Sequence, residues 1–124
     1  MPRVVHFEIT AQEPERAIKF YQDVFGWEIK KWSADDVPEG MDYWMISTGE
    51  GMGIDGGLFK PTDGMRGHVN TIGVDNIDAY VQKVKDAGGE VLTDKHEIPG
   101  VGWHAYVKDP EGSIFGIIQP TSNW

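Results

Sequence analysis

The fold of this chain is indicated by two short stretches that match each other, FGWEI at residues 25–29 and AGGEV at residues 87–91. In each copy, a segment with apolar side chains at helical spacing ends at a glycine and leads into an alternating run. That order is typical of a helix with a glycine at its C-terminus followed by a strand. Because the second stretch begins about half the chain length after the first, the sequence predicts an internal repeat.

The first copy reads as a strand, a helix and three further strands. Residues 4–10 alternate between large apolar and polar side chains, which predicts a strand with one face toward a core. A helix is predicted over residues 14–25, with Pro14 in its first turn and Gly26 at its C-terminal stop. Three alternating runs follow, at residues 27–32, 42–48 and 53–60.

The second copy repeats this order. A strand is predicted over residues 68–74, and either Asp75 or Asn76 can cap a helix whose apolar positions lie within residues 77–87. Three further strands are predicted at residues 90–92, 103–108 and 113–119, with the turn DPEG before the last of them.

We therefore predict a single α+β domain over residues 1–124, made of module 1–60 and module 67–124. A βαβββ module of this size has too little apolar surface to form a stable core by itself. The two modules are therefore expected to join into a curved mixed sheet around a cavity.

The composition excludes several classes of protein. Hydrophobic residues make up 40% and charged residues 25% of the chain, as in ordinary globular proteins, and no apolar run is long enough to span a bilayer. The net charge of -9 opposes nucleic-acid binding, and the absence of cysteine excludes disulfides, thiolate metal sites and thiol nucleophiles. Because the chain starts without the apolar core of a signal peptide, we expect a cytoplasmic protein with no nucleic-acid or membrane partner.

Motifs at both ends of the chain carry a family resemblance. HFEI at residues 6–9 and AIKFYQDVFGW at residues 17–27 resemble the opening of vicinal-oxygen-chelate (VOC) proteins. GVGW at residues 100–103 with DPEGSIFG at residues 109–116 is similar to the last hairpin of the glyoxalase and bleomycin-resistance group of that superfamily. The resemblance covers nearly the whole chain and implies the glyoxalase/bleomycin-resistance fold.

Enzymes of this superfamily usually bind a divalent metal through one residue on the first strand and one on the last strand of each half. In the first half, the resemblance places His6 at the first-strand position, and the last-strand position falls on a glycine close to Asp55. In the second half, counting back from the strand exit gives Val69, and the last-strand position is Gly116.

This ligand set leads us to expect no metal cofactor, because a tight site needs several donors that converge on the ion. The alternative depends on the register of the strand at residues 68–74. A slip of one residue would turn His68 inward instead of Val69, and His6, His68 and Glu8 would then be the metal ligands.

Six residues are candidates for lining the ligand cavity: His6, Glu8, Trp44, Asn70, His104 and Tyr106. His6 and Glu8 lie two apart on one strand and so share a face, where a carboxylate can orient an imidazole. The other reading of this pair is a structural contact at a sheet edge or in a dimer. The aromatic candidates are also typical of plain packing in a strand.

The resemblance favours a small-molecule-binding protein of the bleomycin-resistance type, with no catalytic residues assigned. The alternatives are a metal-dependent lyase or isomerase similar to glyoxalase I, in which a metal polarises adjacent oxygens, and a dioxygenase relative. The family often dimerises, and open sheet edges favour a symmetric contact, so we also expect a homodimer.

Overall fold

The computed structural model describes residues 2–32, 42–61 and 65–121. Two compact units are distinguished within it. One is His6–Val69, called here the first module, and the other joins the residues up to Val5 with those from Asn70 onward and is called the second module. Each strand is described with the module that holds most of its residues. Each module has its own set of paired strands, helix and apolar cluster.

The first module has the predicted βαβββ order. Its elements are β1 (Arg3–Thr10), α1 (Pro14–Phe25), β2 (Glu28–Lys31), β3 (Tyr43–Ser47) and β4 (Gly56–Phe59). Its strands lie side by side in the order β2-β3-β4-β1. β1 and β4 run parallel, and the other pairs are antiparallel.

The second module repeats this arrangement with one strand added. Its elements are β5 (His68–Gly73), α2 (Ile77–Asp86), β6 (Glu90–Val91), β7 (His96–Ile98), β8 (Gly102–Lys108) and β9 (Ile114–Pro120). The strand order is β5-β9-β8-β6, and β7 also pairs with β8. β5 and β9 run parallel, just as β1 and β4 do.

The α+β fold with two βαβββ modules is confirmed, and the first helix has the predicted bounds. The prediction missed β7, because it placed no strand between residues 92 and 103. Three residues with the sequence HEI carry almost no strand signal of their own. β7 is a strand because it pairs with β8, with His96 opposite His104 and Ile98 opposite Gly102.

Alternation along the strands separates an apolar face from a polar face in each module. In the first module, Ile9, Ile29, Ile46 and Leu58 are buried together with apolar side chains of α1. In the second, the buried cluster consists of Val74, Ile77, Ala105, Val107 and Ile117, packed against apolar side chains of α2. The residues between these positions point to the opposite face of each sheet.

The helices begin and end differently. α1 ends at Gly26, whose φ of 71° is left-handed backbone that glycine adopts without strain. The Glu13 side chain at its N-cap makes no capping hydrogen bond, whereas Asn76 at the N-cap of α2 accepts one from the Ala79 backbone N–H. Within the described ranges, no helix is long and apolar enough to cross a membrane.

Candidate functional site

The polar face of the first module brings two ionisable side chains together on β1. Glu8 is only 6% exposed and His6 is partly buried. Ile9, between the two polar-face positions Glu8 and Thr10, packs in the apolar cluster beside α1. The predicted shared face of His6 and Glu8 therefore follows from the alternation of β1, and it is the face opposite that cluster.

A tyrosine from β3 reaches this pair across β4. The Tyr43 hydroxyl lies 3.0 Å from His6 Nε2, a hydrogen bond whose direction depends on the imidazole tautomer. The ring passes over Gly57, which is opposite Glu8 on one side and Met45 on the other. A methyl group on Gly57 would overlap the Tyr43 hydroxyl. The passage of the ring over Gly57, called here a crossing, therefore requires glycine at this position.

The imidazole of His6 is partly buried, and burial changes its pKa. It lowers the pKa of His6 below its ordinary value of 6.5, and the nearby Asp55 carboxylate opposes the shift more weakly. His6 is therefore neutral at pH 7, with one ring nitrogen as a donor and the other as an acceptor. Asp55 itself accepts a 2.9 Å hydrogen bond from the Thr48 backbone N–H, so it also stabilises the connection between β3 and β4.

The second module has a crossing of the same kind. Thr71 on β5 lies opposite Gly116 on β9, and His104 comes from the next strand, β8. A methyl group on Gly116 would stand 2.7 Å from His104 Nε2 and 3.0 Å from the Thr71 hydroxyl oxygen. The imidazole therefore crosses Gly116 toward Thr71, as Tyr43 crosses Gly57 toward His6 and Glu8.

Polar and aromatic groups surround this second crossing. His104 is 5% exposed, and its ring makes edge contacts with Tyr106 at 4.5 Å and His96 at 5.2 Å between centroids. Thr71 is 1% exposed, and its hydroxyl has no hydrogen-bond partner in the part of the chain that the structure describes. A buried hydroxyl without a partner is costly, which makes Thr71 an unusual residue in this core.

The structure separates the predicted site residues into two groups. It joins His6 with Glu8 in one module and His104 with Tyr106 in the other. It places Trp44 beside the apolar cluster of the first module, on the face of β3 opposite Tyr43. Asn70 is exposed on β5. Whether any of these six residues lines a ligand cavity stays a prediction.

Three residues of the crossings, Tyr43, Gly57 and Thr71, were missed as site residues. The signal that marks them combines the sequence with the pairing of the strands. In both modules a glycine in the last strand lies opposite a residue two positions after a polar aromatic one, as Gly57 lies opposite Met45 and Gly116 opposite Tyr106. That diagonal can be recognised only once the strand register is known.

The residues do not fit the metal site that the family resemblance implied. On β5, Val69 is buried while His68 is exposed, which is the register counted from the sequence and not the slipped alternative. Glycine occupies both last-strand positions. Among residues 2–32, 42–61 and 65–121, no three His, Asp or Glu side chains are grouped closely enough to hold a metal ion. The absence of a metal cofactor stays a prediction.

Comparison with known sequences identifies a family. The model of the Glyoxalase/Bleomycin resistance protein/Dioxygenase superfamily matches residues 3–117. A Mycobacterium bovis protein with the provisional name glyoxylase CFP32 is 31% identical over 91% of this chain, but the match spans only 42% of that protein's length. A Vibrio parahaemolyticus protein named as a probable lactoylglutathione lyase is 29% identical over 94% of this chain and 90% of its own.

Solved structures show the same fold. A variant of Streptomyces coelicolor methylmalonyl-CoA epimerase, in complex with 2-nitronate-propionyl-CoA, aligns with a TM-score of 0.73 over 98% of this chain and 99% of its own, at 16% identity. Methylmalonyl-CoA epimerase from Mycobacterium tuberculosis aligns with a TM-score of 0.70 over 96% of this chain and 88% of its own, at 17% identity.

Proposed function

Because the chain belongs to the glyoxalase, bleomycin resistance protein and dioxygenase superfamily, we propose that it is a small-molecule-binding protein that uses His6, Glu8 and Tyr43 and needs no metal. One observation carries the proposal. The Tyr43 hydroxyl crosses Gly57 to meet the neutral imidazole of His6, next to the buried carboxyl group of Glu8.

The energetics of burial support a functional role for this cluster. A carboxyl group and an imidazole lose hydration when they are buried, and a core of the same shape made of apolar side chains avoids that cost. Ionisable groups kept in such surroundings are concentrated at functional sites. Glu8 is buried on the face of β1 opposite the apolar cluster, whose buried members Ile9, Ile29, Ile46 and Leu58 are all aliphatic.

The donor set favours a ligand with a carbonyl or carboxyl oxygen. One donor of this pair is used in their mutual hydrogen bond, so in either tautomer the other, the phenol O–H or the imidazole Nδ1–H, can donate to such an oxygen. The names of the relatives point to related chemistry, since one is named as a lyase of lactoylglutathione and a structural neighbour is complexed with a CoA ester. We therefore place thioesters and small carbonyl compounds first among the candidate ligands.

Calorimetric titration without added metal tests the proposal, with S-lactoylglutathione and methylmalonyl-CoA as probes. We expect saturable binding of at least one, weakened at least ten-fold by Glu8→Gln. The matched control is Glu97→Gln, which makes the same change on β7 at an exposed position and should leave affinity unchanged. Binding that Glu8→Gln leaves intact would contradict the assignment of this cluster.

A metal-dependent lyase or isomerase is the second candidate. The buried carboxyl group of Glu8 beside His6 could move a proton, and one relative is named as a lactoylglutathione lyase. Turnover of either probe should then appear only after addition of Zn²⁺, Ni²⁺, Mn²⁺ or Fe²⁺, and Glu8→Gln should abolish it. Binding without turnover under all of these conditions would leave the binding-protein proposal in place.

We also propose that the chain forms a homodimer. Phe20, Val24 and Phe25 on α1 are 55%, 56% and 58% exposed, an apolar ridge that a second copy can cover. Lys19 and Asp23 flank the ridge, so two antiparallel copies of α1 would bring opposite charges together. Light scattering at micromolar concentration should give about twice the chain mass of 13.9 kDa, and Val24→Lys should return it to one chain.

The remaining expectations about partners and location stay predictions of the sequence. The expectation of no nucleic-acid partner rests on the net charge of -9, and that of no membrane partner rests on the lack of an apolar run long enough to span a bilayer. A cytoplasmic location also stays a prediction. Fractionation of cells that express the chain would test the location directly.

A further inference from the structure

We infer that Tyr43 and His104 take the places that metal-ligating side chains would need, so that each module carries an aromatic hydrogen-bonding group instead of a metal ligand on its last strand. This deepens the proposed function, because it gives a physical reason for binding without metal. The two glycines are then required parts of the site, rather than positions at which a metal ligand is missing.

The steric conflict is most severe in the first module. Gly57 is buried in β4 between Glu8 on β1 and Met45 on β3. The place of its missing side chain is taken by the hydroxyl end of Tyr43, together with adjoining ring atoms. Any ligating side chain at position 57 would have to displace the phenol, and with it the hydrogen bond to His6.

In the second module a different aromatic ring occupies the place of the missing glycine side chain. His104 Nε2 and the Thr71 hydroxyl oxygen lie 2.7 Å and 3.0 Å from the place of the missing side chain on Gly116. A carboxylate or imidazole at position 116 would collide with the buried ring of His104. Val69, which shares the buried side of β5 with Thr71, offers no donor atom that could compensate.

The two crossings have the same register, which argues against an accident of packing. Tyr43 is opposite Phe59, two residues beyond Gly57, and His104 is opposite Ile118, two residues beyond Gly116. In both modules the ring thus approaches the glycine along the same diagonal, from the antiparallel neighbour of the last strand toward its parallel neighbour. The residues opposite the two glycines, Glu8 and Thr71, are on equivalent strands, β1 and β5.

An exchange of residues tests the inference, with Zn²⁺ alone as the probe and protein without a histidine tag. The double variant Tyr43→Ala with Gly57→His clears the phenol and adds a donor beside His6 and Glu8. We expect it to bind Zn²⁺ at least 100-fold more tightly than the original chain, and to lose that gain when His6→Ala is added. Co²⁺ should give the visible absorption of a tetrahedral site in the double variant only.

Three controls isolate the role of Tyr43. Gly57→His alone should show no such gain, because the phenol still occupies the site. Tyr43→Ala alone should show none, because the third donor is missing. Tyr43→Ala with Lys60→His adds the same imidazole at an exposed position at the end of β4 and should also fail. Circular dichroism of every variant checks whether the fold is retained.

Two results would overturn the inference. One is stoichiometric, tight Zn²⁺ binding by the original chain. The other is a folded double variant that binds Zn²⁺ no better than Tyr43→Ala alone. Neither outcome affects the calorimetric titration of the carbonyl probes, so a failure of metal exclusion can be distinguished from a failure of the proposed binding function.

Discussion

The two modules of this protein share one arrangement of ring and glycine but carry different polar residues around it. In both, an aromatic ring crosses a glycine of the last strand and reaches the first strand. In the first module the ring hydrogen-bonds the imidazole of His6, and the buried Glu8 lies opposite the glycine. In the second the buried Thr71 lies opposite the glycine, with Val69 at the other buried position. The repeat has therefore kept the shape of the site in both halves and the ionisable pair in only one.

Under the proposed binding function, this difference favours the first module as the binding site. Ionisable groups on β1 can hold or move a proton and can answer to pH, whereas threonine and valine on β5 can supply only a hydrogen bond and apolar contact. In the second module the ionisable group of the crossing is the buried imidazole of His104 on β8, and the first strand contributes none. Each of the following predictions tests one part of this contrast.

The largest effect should come from filling the glycines. Gly57→Ala overlaps the Tyr43 hydroxyl in a buried strand, and we expect it to lower the free energy of unfolding by about 3 kcal/mol. Gly116→Ala meets its nearest atom at 2.7 Å, the far end of the His104 ring, and should cost less, about 1 to 2 kcal/mol. Urea denaturation measures both, and equal losses would contradict the steric ranking.

Removing the buried hydroxyl of Thr71 should stabilise the second module. Thr71→Val replaces an oxygen that has no hydrogen-bond partner among the described residues with a methyl group of similar size, a gain of about 1 kcal/mol. The control is Thr48→Val, where the hydroxyl donates a 2.8 Å hydrogen bond to the Ile54 carbonyl and its loss should destabilise. A destabilising Thr71→Val would mean that the Thr71 hydroxyl has a partner in the folded protein.

The two helix N-termini should also respond differently. Asn76→Ala removes the side chain that accepts from the Ala79 N–H and should cost about 1 kcal/mol. At the N-cap of α1 the Glu13 side chain makes no capping bond, so Glu13→Ser should stabilise by a few tenths of a kcal/mol, roughly the difference between a good and a poor cap. Thermal unfolding of both variants checks the contrast, and a destabilising Glu13→Ser would refute it.

The smallest effect should be the pH response of His6. Because its pKa is lowered in the folded chain, the unfolded state binds more protons near pH 6. The contribution of His6 to stability is therefore complete above pH 6.5 and is lost as the pH falls through the lower folded pKa. NMR titration of the imidazole should give a midpoint below 6.5, and His6→Gln should flatten this part of the stability profile.

Much of the fold could be predicted because its signals are local. Pro14 and Gly26 mark the ends of α1, and Asn76 marks the start of α2, at the positions expected from capping preferences. β7 could not be predicted, because its strand conformation depends on hydrogen bonds to β8 and not on its own three residues. The sequence also placed His6 and Glu8 on one face, since residues two apart on a strand point the same way.

Tyr43 illustrates what lay beyond the reach of the sequence. It is 37 positions from His6, and nothing between them indicates that they meet. The sequence by itself determined the repeat, the helices, the alternation of the strands and the glycines at positions 57 and 116. Only the tertiary structure decided which rings cross those glycines, because strand register and order are set by long-range pairing rather than by neighbouring residues.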